Sequence, residues 1–171
     1  GFVGAVGNDD LGKFFKKDMQ VNKIKPILFR TMSETGRAMA LISQDSERTF
    51  ATYLGAAVDL SPEDITRNLF QGYNYFYIEG YLVQNRRMIE KALRLAANSN
   101  LTICLDLASY NVVEDNRDFF LELIPKYVDI LFANEEEIKA LTGKKPEEGG
   151  MELNDRVATV VIKLGAEGSL C

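Results

Sequence analysis

Histidine is absent from this chain of 171 residues, and only two cysteines occur. Without histidine there is no Ser-His-Asp or Cys-His nucleophile arrangement and none of the usual zinc sites. Any chemistry must rest on carboxylates, backbone amides, Lys or Arg, or a supplied cofactor. Cys104 lies inside an apolar run and Cys171 is the last residue, so neither a disulfide framework nor a Cys-x-x-Cys metal pair exists. That pattern predicts a reducing, cytoplasmic setting. No run approaches the roughly 20 apolar residues of a membrane helix, and no basic-then-apolar leader opens the sequence. Lys and Arg number 20 against 25 Asp and Glu, a net charge of -5. They are scattered, with only Lys16-Lys17, Arg86-Arg87 and Lys144-Lys145 adjacent, so no basic face is expected to meet nucleic acid. Repeats and low-complexity tracts are also missing.

What is present is ordinary globular composition, 46% hydrophobic and 26% charged, enough for one domain with a sizeable core. Short apolar runs at Tyr75–Ile78, Leu101–Leu107, Val128–Ala133 and Thr159–Leu164 predict strands buried on both faces. Helical patterns separate them. Asn85–Ser99 places Met88, Ile89, Ala92, Leu93 and Ala96 on one face. Asn116–Ile124 groups Phe119, Phe120, Leu123 and Ile124 and is expected to break at Pro125. Glu135–Thr142 stops at Gly143. Strands alternating with helices predict βαβ units and a parallel sheet. Asp106 and Asp129 interrupt two of the runs and read as loop formers or as site residues at strand ends.

The first half reads differently. Gly4–Gly12 predicts a Gly/Asp-rich turn leading into a helix through about Asn22. Ile27–Thr31, Ala38–Ser43 and Arg48–Leu54 predict a three-stranded antiparallel meander, with turns at Ser33-Glu34-Thr35-Gly36 and Gln44-Asp45-Ser46-Glu47. Pro62–Phe70 predicts a helix capped by Ser61. Lys144–Arg156, with Gly149-Gly150, predicts a loop plus one helical turn.

Four motifs each have a plain structural reading and a functional one. Gly7-x-x-x-x-Gly12-Lys13 has the spacing of a phosphate loop, but Phe14 stands where Ser or Thr should follow and Asp9 and Asp10 would repel phosphate. It reads better as a turn with Asp9 or Asp10 capping the helix. Thr35-Gly36-Arg37-Ala38 and Glu47-Arg48-Thr49 alone read as turns. Asn134-Glu135-Glu136-Glu137 follows a buried strand. It fits a capped helix start and equally a site for hydrated Mg²⁺ or a phosphate-bound water at the carboxyl end of that strand. Lys163-Leu164-Gly165-Ala166-Glu167-Gly168 fits a hairpin, or a place where backbone closely approaches a ligand.

In order, these segments resemble the ribokinase/pfkB family of carbohydrate and nucleoside kinases across nearly the whole chain. The matching pieces are Gly4, Gly7, Asp9 and Gly12; Thr35-Gly36-x-Ala38 with Glu47-Arg48-Thr49; Val128 through Glu137, whose Asn-x-x-Glu element is the most specific; and Lys163-Leu164-Gly165-x-x-Gly168. Tyr77-Ile78-Glu79-Gly80-Tyr81 and Leu105-Asp106-Leu107-Ala108-Ser109 are similar to the adenosine-kinase-like branch.

The resemblance implies an α/β fold, a ribokinase-like three-layer sandwich with a mostly parallel sheet and a small antiparallel β lid inserted at about residues 26–57. It implies transfer of the ATP γ-phosphoryl group to a hydroxymethyl of a sugar or nucleoside. ATP would meet Asn134, Lys163, Gly165, Ala166 and Gly168, and Mg²⁺ would be held by Glu137 through water. The acceptor would meet Ala38, Arg48, Phe50, Thr52 and Leu54 of the lid, with Leu82 and Asn111 below it. A homodimer through the lid is a further expectation. A glycine-rich acceptor segment would precede Gly1 and a Gly-Ala-Gly-Asp element carrying the general base would follow Cys171. On that ground both ends read as cut through a larger domain, and the 171 residues alone are expected to lack kinase activity. The alternative is a non-catalytic nucleotide-binding or dimerising module on the same scaffold. A Rossmann oxidoreductase is disfavoured, because no Gly-x-Gly-x-x-Gly follows a strand.

Overall fold

A strand, a helix and a second strand open the chain, and the helix decides how the strands pair. The computed structural model describes residues 1–44 and 48–171. β1 (Phe2–Gly7) and β2 (Pro26–Thr31) run parallel, from Phe2↔Pro26 to Gly7↔Thr31. A parallel return needs a crossover of a dozen or more residues, and α1 (Asp10–Val21) supplies it. The expected meander is therefore corrected. The strand at 26–31 belongs with β1, leaving a hairpin of β3 (Arg37–Ile42) and β4 (Arg48–Tyr53), antiparallel from Arg37↔Tyr53 to Ile42↔Arg48. The turn expected at Gln44–Glu47 lies mostly outside the described residues. Gly4–Gly7, expected as turn, is strand. Every residue of β3 and β4 is exposed.

The chain divides into two compact units, Gly1–Asp64 and Ile65–Cys171. The helix expected over Pro62–Phe70 is instead two 3₁₀ turns, Pro62–Asp64 and Arg67–Phe70. Ser61 does not cap by accepting. Its amide and its hydroxyl both donate to Asp64 Oδ2, each at 2.9 Å, which closes a three-residue turn before a helix can propagate.

In the second unit, β5 (Tyr75–Glu79), β6 (Thr102–Asp106), β7 (Ile130–Asn134) and β8 (Thr159–Lys163) form a parallel sheet in that order, and β9 (Ser169–Leu170) adds antiparallel to β8. α2 (Arg86–Ala97) buries the five predicted residues, with Asn85 Oδ1 accepting from Met88 N at its start. α3 (Tyr110–Asp115) and α4 (Arg117–Tyr127) precede β7. Pro125 lies inside α4 and does not end it. In the last turn its missing N–H forfeits a single bond, and Val128 N still donates to Ile124 O at 2.9 Å. α5 (Glu135–Thr142) ends at Gly143, whose φ of 75° is left-handed. Leu105, Leu131, Phe120 and Ile138 have no solvent exposure, and each such side chain contributes about 1.5–3 kcal/mol on leaving water.

Lys144–Arg156, expected as a loop plus one helical turn, holds a nine-residue helix, α6 (Pro146–Asn154). Proline in the first turn and Glu147 and Glu148 beside it suit a helix start. Gly149 and Gly150 are there for close packing, not to break the helix. A Cβ on Gly149 would stand 2.5 Å from Ile138 Cγ2, and one on Gly150 would stand 2.9 Å from Ile162 Cδ1. Among the described residues no helix is long and apolar enough to cross a membrane.

Candidate active site

Each of the four parallel strands ends on a polar side chain: Glu79, Asp106, Asn134 and Lys163. Glu79 pairs in register with Asp106, and Asn134 with Lys163. Ligands of open α/β sheets bind outside this carboxyl edge. Asp129, by contrast, precedes β7 at the opposite edge, where its Oδ2 accepts from Ile103 N at 2.7 Å. The two aspartates that interrupt apolar runs thus separate into one structural residue and one at the site edge.

Asn134 caps α5 in a reciprocal box. Asn134 Oδ1 accepts from Glu137 N at 2.8 Å. Asn134 N donates to Glu137 Oε2 at 2.8 Å, and Asn134 Nδ2 donates to Glu137 Oε1 at 2.9 Å. Glu137 is only 2% exposed. Burial holds its pKa above the ordinary carboxylate range. The Asn134 amide and the Lys163 charge pull it down, while Asp106 and Glu79 push it up. The capped helix start expected from the sequence is present, and it sits at the sheet's carboxyl edge.

Lys163 Nζ stands 2.7 Å from Asp106 Oδ2. Asp106 Oδ1 accepts from Ala108 N at 3.0 Å. Tyr77 hydroxyl donates to Glu79 Oε1 at 3.0 Å. Its pKa lies above the ordinary tyrosine value because of burial first, then the bond to Glu79 and the charges of Asp106 and Glu79. Beyond β8, Gly165–Glu167 forms a 3₁₀ turn, and Leu164 N donates to Gly168 O at 2.8 Å. Gly165 and Gly168 have φ of 58° and 94°, and nothing lies within 4 Å of where a Cβ would be. Backbone conformation, not crowding, calls for glycine at both. The hairpin reading of this motif holds. Leu82 is half-buried in the 3₁₀ turn Gly80–Asn85, and Asn111 is exposed on α3.

In the first unit the register puts Ala38 opposite Thr52, Ala40 opposite Phe50 and Ile42 opposite Arg48. Ala38, Arg48, Phe50 and Thr52 therefore share one face of the hairpin. Leu54 follows β4 and is 47% exposed. The Gly7–Gly12 turn is a cap, as read from sequence: Asp9 Oδ1 accepts from Gly12 N at 2.8 Å. Among the described residues no group of three or more carboxylates or thiols is placed to share a metal ion. Of Asp106 and Asp129, which the sequence leaves open alike, Asp106 is the one at this edge. Its signal was a charged residue at the end of an apolar run, but its partner Lys163 lies 57 positions away.

The sequence matches the pfkB family carbohydrate kinases over residues 1–171. It is 30% identical over 115 residues to the guanosine-inosine kinase of Escherichia coli strain K12, covering 64% of this chain and 26% of that protein. It is 28% identical over 183 residues to the aminoimidazole riboside kinase of Salmonella typhimurium, covering 99% of this chain and 56% of that protein. The crystal structure of adenosine kinase from Sinorhizobium meliloti superposes with a TM-score of 0.89 at 31% identity, covering 97% of this chain and 53% of that one. The chain thus spans between about a quarter and a little over half of the length of these relatives. The ribokinase-like α/β fold, with a mostly parallel sheet and a small antiparallel hairpin, agrees with these likenesses. The chain belongs to the pfkB family of carbohydrate kinases.

Proposed function

We propose that the protein to which this chain belongs phosphorylates a nucleoside or related riboside, transferring the γ-phosphoryl of ATP to its hydroxymethyl group. The observation that carries this reading is the row of polar strand ends with the Asn134–Glu137 box and Lys163 among them. Phosphoryl transfer needs positioning and charge stabilisation more than covalent help. The α5 N-terminus presents amide donors and the positive end of its dipole to a phosphate, and the Lys163 ammonium adds a full charge. Asn134, Lys163, Gly165, Ala166 and Gly168 lie along the nucleotide. The names of the relatives, a guanosine-inosine kinase, a riboside kinase and an adenosine kinase, favour a ribosyl acceptor. By the family resemblance, Ala38, Arg48, Phe50, Thr52 and Leu54 of the first unit are assigned to the acceptor, and Leu82 and Asn111 of the second are assigned to it on the same ground.

Mg²⁺ usually keeps several waters and takes one or two carboxylates besides phosphate oxygens. The residues here fit an ion held in that way. Both Glu137 oxygens already accept from Asn134, so Glu137 would hold the ion through water. When bound, it neutralises phosphate charge. Met39, Leu41, Ile42 and Phe50 are each more than half exposed on the hairpin, which supports a homodimer through this element.

The test is a coupled ADP-release assay on the full-length protein with adenosine, guanosine, inosine, ribose and fructose. Turnover is expected with at least one riboside, and Lys163→Met is expected to lower kcat/KM for ATP by about 100-fold, the loss of one charged phosphate contact. ATP consumption that no acceptor stimulates would overturn the reading.

A further inference from the structure

We propose that Asp106 is a positioning residue: its ion pair sets the Lys163 ammonium over the carboxyl end of β7, beside the start of α5. The inference rests on the kinase reading above. Asp106 and Lys163 end strands that are not neighbours, because β7 lies between them. Two strand spacings are about 9.6 Å, so the lysine stem must lean across the end of β7 for Nζ to reach Oδ2 at 2.7 Å. A lysine is a point charge on a flexible four-carbon stem. Without an anchor on the far side, this one would sample solvent instead of the edge where Asn134 begins the helix.

The anchor is itself fixed. Oδ1 is held by Ala108 N at 3.0 Å, which leaves Oδ2 for the lysine. The turn behind it is braced from two sides. Leu107 N donates to Phe132 O at 3.0 Å, and Gly80 lies so close that a Cβ there would stand 2.5 Å from Leu107 O and 3.0 Å from Asp106 O. Ala108 is held at a φ of 69°, a conformation that costs a non-glycine residue and persists where the surroundings enforce it. Burial is lopsided as well. The Asp106 side chain is 14% exposed and that of Lys163 46%, so the carboxylate is the seat and the ammonium the end offered to a ligand. Competing carboxylates are engaged elsewhere: Glu137 with Asn134, and Glu79 Oε1 with the Tyr77 hydroxyl.

The experiment compares full-length wild type with Asp106→Asn, Lys163→Met and the double variant, on whichever riboside the wild type phosphorylates. Asparagine keeps the oxygen that Ala108 N needs and removes only the charge. Asp106→Ser serves the same purpose if the asparagine variant melts early. The expected result for Asp106→Asn is a kcat about tenfold lower, KM for ATP changed less than about threefold, and an unchanged melting temperature. The double variant should be no slower than Lys163→Met alone, because the aspartate acts only through the lysine. Wild-type turnover in Asp106→Asn, or losses that multiply in the double variant, would overturn the proposal. If wild type turns over and Lys163→Met does too, this inference falls and the kinase reading stands. If wild type is inactive with every acceptor, both fall.

Discussion

Replacing Asn134 with Asp is expected to make the stability of the protein fall as pH rises, with the variant near wild type at pH 5 and about 2–4 kcal/mol weaker at pH 8. The substitution keeps the shape and the cap. Asp is as good an N-cap as Asn, and an oxygen still accepts from Glu137 N at the 2.8 Å seen for Asn134 Oδ1. What changes is the atom now 2.9 Å from Glu137 Oε1, which turns from an amide donor into a carboxylate oxygen. Two carboxylates at that separation cannot both ionise without large cost, so the pair retains a proton. Glu137 is already above its ordinary range through burial, and the variant moves the pair further in that direction. The folded state then binds more protons than the unfolded one, so unfolding free energy declines with pH above the ordinary carboxylate range. Urea unfolding of both proteins at pH 5 and pH 8 reads this directly. A pH-independent difference would mean that the reciprocal box does not form in solution. Asn134→Ala is the control: it loses the cap, about 1 kcal/mol, without adding charge.

Features encoded within a few residues of one another are legible in the sequence itself. The five residues expected on the inner face of α2 are the five buried ones, and the four parallel strands fall within two residues of the apolar runs. Asp9 and Asn134 cap the helices their positions announce. Features that depend on distant partners are not legible in that way. β2 has the composition of a meander strand, yet its partner is chosen by the helix before it, because a crossover returns the chain parallel to β1. Gly149-Gly150 looks like a helix breaker because its reason lies on Ile138 and Ile162, in other elements. Pro62–Phe70 has helical spacing, but the local bonds of Ser61 to Asp64 satisfy the backbone in a tighter turn. Lys163 reads from the sequence as a candidate and Asp106 only as an open possibility, since no local spacing encodes a pair 57 positions apart.

Asp9→Ala is expected to lower the melting temperature by about 10 °C at pH 7, and this gap is expected to close at acid pH. The Asp9 carboxylate accepts three hydrogen bonds: from Gly12 N at 2.8 Å, from Thr35 N at 2.7 Å and from the Thr35 hydroxyl at 2.6 Å. Thr35 Oγ1 in turn accepts from Gly7 N at 3.0 Å. One side chain thus ties the end of β1, the start of α1 and the residue pair that leads into β3. The Thr35 hydroxyl, then the Thr35 and Gly12 amides, hold the Asp9 pKa down to about 2. A carboxylate whose folded pKa is depressed contributes stability above its unfolded value, near 3.9, and loses it as pH falls towards the folded one. Melting curves of wild type and variant at pH 7 and pH 2.5 should therefore differ widely at the first and much less at the second. An equal gap at both would show that Asp9 acts through shape and not through charge. The sign is opposite to that of Glu137, whose raised pKa costs stability as pH rises. These two carboxylates therefore pull stability in opposite directions as pH changes, and Asp9→Ala should flatten the loss on the acid side while leaving the loss on the alkaline side in place.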